Sequence, residues 1–61
     1  MPDNVVILFK GDERFAFIFR DDQRLEAIAA LEVAANDSDL DFSMYDAAVL
    51  AQKVRKVTEG V

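Results

Sequence analysis

The stretch Val5-Val6-Ile7-Leu8-Phe9-Lys10-Gly11-Asp12-Glu13-Arg14-Phe15-Ala16-Phe17-Ile18-Phe19 decides the fold. Two runs of β-branched and aromatic residues flank a short polar segment with Gly-Asp at its centre. That is the sequence form of a β-hairpin. Placing Gly11 and Asp12 at the tip sets the pairing: Lys10 faces Glu13, Phe9 faces Arg14, Leu8 faces Phe15 and Val6 faces Phe17. Gly11 can take the positive φ that a two-residue hairpin turn asks of its first central residue. The opposite charges of Lys10 and Glu13, set across from each other, favour this register.

Side chains alternate across a strand, so the register also sorts the residues by face. One face carries Val6, Leu8, Phe15, Phe17 and Phe19. The other carries Val5, Ile7, Phe9, Ala16 and Ile18, with Arg14 near the turn. Both faces are apolar, whereas an antiparallel hairpin usually keeps one face for water. Two arrangements can answer this. Either one helix covers each face, or the second face is buried by association with another copy. A slip of one residue would exchange the two faces.

Downstream, Asp21-Asp22 supplies an N-cap and favourable charge for a helix. Residues 23–35 are strong helix formers and are nearly apolar all round, the pattern of a helix buried on more than one side. Asn36 to Phe42 has no period and many turn formers, so it reads as a loop, with Leu40 and Phe42 tucked inward. Ser43-Met44-Tyr45-Asp46 has the form of a capping box opening a second helix, and Gly60 suits its C-terminal cap. Ala47, Leu50, Ala51, Val54, Val57 and Val61 form one face of that helix; Tyr45, Ala48, Val49, Gln52 and Lys56 form the other. The expected fold is a single small α+β domain, an antiparallel β-hairpin followed by two α-helices (ββαα). Strands are expected over about 4–10 and 14–20 and helices over about 22–36 and 43–58. The helices are expected to meet the hairpin through Leu25, Ile28, Leu31, Leu50 and Val54.

Length makes such a domain marginal. With 61 residues, folding removes about 5,900 Å² from water, worth on the order of 90 kcal/mol, against a similar ordering cost of roughly 90 kcal/mol. Disulfides are excluded because the chain has no cysteine, and the lack of histidine disfavours zinc. Association is the remaining source of extra burial. The formal net charge of −5 disfavours nucleic acid and anionic membranes. No apolar run is long enough to span a bilayer. The segment Met1-Pro2-Asp3-Asn4 does not read as a signal peptide, and a cysteine-free chain fits the cytoplasm.

Chemistry-bearing motifs are few. Asp37, Asp39 and Asp41 have the spacing that opens a calcium-binding EF-hand loop. Phe42 stands where that loop needs glycine, and Ala48 where it needs a bidentate glutamate. The better account is a solvated acidic loop before a helix N-terminus, and no metal ligand set is assigned. Lys53, Arg55 and Lys56 near the end of the second helix complement its dipole. Without histidine or cysteine, and with Ser38 and Ser43 at loop and cap positions, no catalytic residues, cofactor site or enzymatic activity are expected.

What remains is an interaction module that forms a homodimer. Its candidate contacts are Val5, Ile7, Phe9 and Ile18 on the hairpin, and Tyr45 and Val49 one helical turn apart on the second helix. The alternative is an acidic regulator that binds a basic protein partner through the Asp37–Asp41 cluster, or more weakly a divalent cation there.

Overall fold

The computed structural model describes residues 3–59. Strand β1 runs Asp3–Lys10 and β2 runs Glu13–Arg20. A single 3₁₀ turn, Asp21–Gln23, leads into α1 at Arg24–Ala35, and α2 runs Met44–Thr58. This is the expected α+β fold. The expected Gly60 cap and the place of Val61 lie outside the described residues.

The hairpin has the expected register, from Lys10↔Glu13 at the turn to Asp3↔Arg20 at the open end. Gly11 has φ +59° and no other residue described has positive φ. Positive φ at the first central residue alone marks the type II′ turn, whose twist matches that of the strands.

Both helices lie on one face of the hairpin. Helix α2 packs along β1 and α1 along β2, while the two helices pack against each other. The interior between the layers holds Val6 and Phe19 from the hairpin, Ala27 and Leu31 from α1, and Ala47, Leu50 and Val54 from α2. Leu8, Phe15 and Phe17 are partly buried against it. Phe42 closes the turn end of this core, its ring 5.0 Å from Phe15 and 5.9 Å from Phe17, tilted in both cases. Tilted pairs at these separations are favourable because ring edges meet ring faces.

Four expectations are corrected. Leu25 does not meet the hairpin; it is 72% exposed. Ala27 takes its place in the core, beside Leu31, which is buried there as expected. Leu40 is 41% exposed rather than tucked in. Val57 is likewise open, and Thr58 is buried in its stead, its hydroxyl donating to the Val54 carbonyl at 2.9 Å. Finally, Asp21 and Asp22 do not cap α1. They sit in the 3₁₀ turn, which Gln23 closes by accepting from the Arg20 backbone N–H at 2.9 Å. Asp21 accepts from the side-chain amide of Asn4, tying this turn back to β1.

Candidate functional site

With both helices on one side, the other side of the hairpin has no cover. Val5 is 50% exposed, Ile7 37%, Phe9 73% and Ile18 69%. Ala16 lies among them and is exposed too. The paired rows of this open face read Asp3 with Arg20, Val5 with Ile18, Ile7 with Ala16, and Phe9 with Arg14. The apolar rows are thus bracketed by charge at both ends. The arrangement with one helix on each face is excluded for the single chain. Total accessible area is 4398 Å², about a tenth above the roughly 4,000 Å² expected of a compact chain of this mass.

The hydrogen-bonding edges of the sheet are partly closed. A two-residue turn makes Lys10–Glu13 a hydrogen-bonded pair, so alternate residues turn their backbone groups outward. These are Asp3, Val5, Ile7 and Phe9 on β1, and Arg14, Ala16, Ile18 and Arg20 on β2. On β1 the Ile7 carbonyl receives the Lys53 ammonium at 3.5 Å. On β2 the outward N–H of Arg20 is already taken by Gln23. Arginines at both ends of the β2 edge further discourage strand addition. The edges thus keep most of their outward backbone groups for water, while the open face exposes a contiguous apolar surface.

Tyr45 and Val49 do not join it. They lie on α2, in the other layer; Tyr45 is 77% exposed and Val49 is half-buried. Sequence reasoning missed a second exposed apolar stripe on α1, where Leu25 and Val33 are 72% and 71% exposed. The signal was present in the all-round apolarity of residues 23–35. A shallow groove of about 280 Å³ between the helices is lined by Ile28, Met44, Ala48 and Arg55 among others.

Lys10 joins the layers. Its ammonium does not reach Glu13 across the turn; it donates to Asp46 Oδ2 at 2.7 Å and lies 3.4 Å from Asp41. Asp46 is also the third residue of α2 and completes a capping box. The Ser43 N–H donates to its carboxylate at 2.9 Å, and its own N–H donates to Ser43 Oγ at 3.1 Å. One carboxylate therefore anchors both the helix start and the hairpin. The hydrogen bond from Lys10 holds the Asp46 carboxyl below the usual aspartate range, with the Ser43 N–H adding to it. The same bond raises the Lys10 ammonium, against partial burial and with help from Asp41.

The pH dependence follows from these signs. A lowered carboxyl gives stability that is full above its unfolded value, about 3.9, and is lost as pH falls through the folded value. A raised ammonium gives stability that is full below about 10.4 and is lost as pH rises through the folded value. Asp46→Asn is expected to lower stability at pH 7 and to flatten the acid limb of a thermal-midpoint profile between about pH 5 and pH 2. An acid limb unchanged in the variant would assign it to other carboxylates.

The acidic loop is exposed and only partly tied within the chain. Asp37 Oδ1 accepts from the Asp39 N–H at 2.9 Å, and Asp41 faces Lys10. Among the described residues no three acidic side chains gather as a metal site would require. No helix among them is long and apolar enough to cross a membrane. Comparison of the chain with protein-family models, with curated proteins and with solved structures finds no match.

Proposed function

We propose that this protein is an interaction module that self-associates through the open face of its hairpin. The observation that carries the reading is the exposure of Val5, Ile7, Phe9 and Ile18 on one contiguous sheet face. Patches of a few hundred Å² are the size at which exposed apolar surface is commonly functional. A second copy supplies a matching apolar face, and it adds burial to a 61-residue chain whose own margin is small. Stacking two such hairpins buries on the order of 1,000 Å² in total, the lower end for specific interfaces, so micromolar affinity is expected. The acidic-regulator alternative rests on the net charge of −5 and on the exposed Asp37 and Asp39, while Asp41 lies 3.4 Å from Lys10.

The test is solution mass by light scattering on a sizing column, from about 1 µM to about 1 mM, the range that brackets micromolar dissociation. The expected result is a monomer–dimer equilibrium for the unmodified protein. Ile18→Asp places a charge at the centre of the face and is expected to give a monomer whose circular dichroism is unchanged. A wild-type protein that stays monomeric throughout, or an Ile18→Asp variant that dimerises equally well, overturns the reading.

A further inference from the structure

Resting on that reading, we infer the geometry of the dimer: two hairpins stack face to face about a two-fold axis parallel to the strands, so that β1 of each copy lies over β2 of the other. The inference comes from the rows of the open face, which pair Asp3 with Arg20 and Phe9 with Arg14 at its two ends. Two symmetric ways of stacking this face keep the strands aligned.

With the axis along the strands, each row meets the same row of the partner with its members exchanged. Asp3 then lies over Arg20 of the second copy, and Arg20 over Asp3. Phe9 lies over Arg14, offering its ring face to a guanidinium. Ile7 meets Ala16, large against small, and Val5 meets Ile18. With the axis across the strands, rows meet in reverse order. Arg20 then lies over Arg14, like charge on like charge, and Asp3 lies over the Phe9 ring, whose face is negative. The second arrangement is repulsive at both ends; the first is attractive at both. Arg20 Nε already donates to Asp22 at 3.3 Å. A guanidinium has five donors, so both Nη groups remain for a partner's Asp3.

Joining the sheets edge to edge gives no such match. It also leaves the apolar rows of Val5, Ile7, Phe9 and Ile18 open to water, and on each edge it meets one group already engaged within the chain, the Ile7 carbonyl on β1 or the Arg20 N–H on β2.

The experiment uses charge exchange on two separate chains, Asp3→Arg and Arg20→Asp, each examined alone and in a 1:1 mixture by light scattering. In the inferred dimer, each variant alone sets like charges over each other and dissociates about tenfold more readily. The mixture restores dimerisation close to that of the wild type, as a heterodimer, because the exchanged charges again oppose. Within each hairpin the row of residues 3 and 20 carries like charges whether or not the chains are mixed. Recovery on mixing therefore reports the interface and not the fold. If the axis runs across the strands, Arg20→Asp alone dimerises more tightly than the wild type and mixing gains nothing.

A second measurement is independent of these charges. The chain has no cysteine, so Asp12→Cys places one nitroxide label at the hairpin tip, where the side chain is exposed. The inferred dimer brings both tips to the same end, about 10–20 Å apart across stacked sheets. The reversed stack and the antiparallel edge dimer put the tips about 30 Å apart, the length of an eight-residue strand or more. A long distance in a protein that does dimerise, and is made monomeric by Ile18→Asp, overturns the geometry while leaving the self-association reading standing. No dimer in the wild type overturns both.

Discussion

Phe42→Ala is expected to remove a large share of the domain's stability, about 3–5 kcal/mol. The side chain is 3% exposed and fills the space between the turn half of the hairpin and the start of α2. Truncating a buried phenylalanine costs about 3–5 kcal/mol, through lost transfer energy and the cavity left behind. A chain of 61 residues has roughly 3–9 kcal/mol of stability in all. The site has little means of collapsing, because Phe15 and Phe17 are held in register by the strand ladder. Phe42→Leu keeps most of the apolar volume and loses mainly the ring–ring contacts, worth about 1 kcal/mol. Urea unfolding followed by circular dichroism separates the two variants. A Phe42→Ala protein as stable as Phe42→Leu would mean that the loop can move aside, and that Phe42 is a cover and not a plug.

That loop shows where the sequence was legible and where it was not. The hairpin register could be read because a period of two and a Gly-Asp turn leave few alternatives. The start of α2 could be read because Ser43 and Asp46 satisfy each other's backbone N–H locally. Leu40 and Phe42 could not be told apart, since two apolar residues in an aperiodic loop carry no sign of which one faces in. The hairpin face that meets the helices was also undetermined, both faces being apolar. Phe15, Phe17 and Phe19 gave one face the greater aromatic volume, and that is the face the helices cover. Lys10 was assigned to its cross-strand neighbour because local rules see only neighbours. Its true partner, Asp46, is 36 residues away, brought near by the packing of α2 along β1. Of the candidate contacts, the four on the hairpin fall on one open face because the strand period put them there. Tyr45 and Val49 share a helix face by spacing alone, yet Tyr45 is 77% exposed and Val49 half-buried.

Leu50→Ala tests the core, and Leu25→Ala is its control. Both leucines lie on helices and both were expected to meet the hairpin. Yet Leu50 is 0% exposed and Leu25 is 72% exposed. An Ala-rich helix such as α1 offers several nearly equivalent faces, and the choice among them belongs to its neighbours, not to its own period. Leu50→Ala is therefore expected to cost about 2–5 kcal/mol, while Leu25→Ala stays within about 0.5 kcal/mol of the wild type. The larger loss removes a large share of the roughly 3–9 kcal/mol that a chain of this length has, which makes the variant a sensitive reporter of association. A second copy that binds only the folded chain raises apparent stability by mass action. The urea midpoint of Leu50→Ala is then expected to rise as protein concentration rises above the dissociation constant, and adding Ile18→Asp should abolish that rise. A midpoint independent of concentration would mean that the domain folds without help from its open face, and the apolar rows of the hairpin would need another occupant.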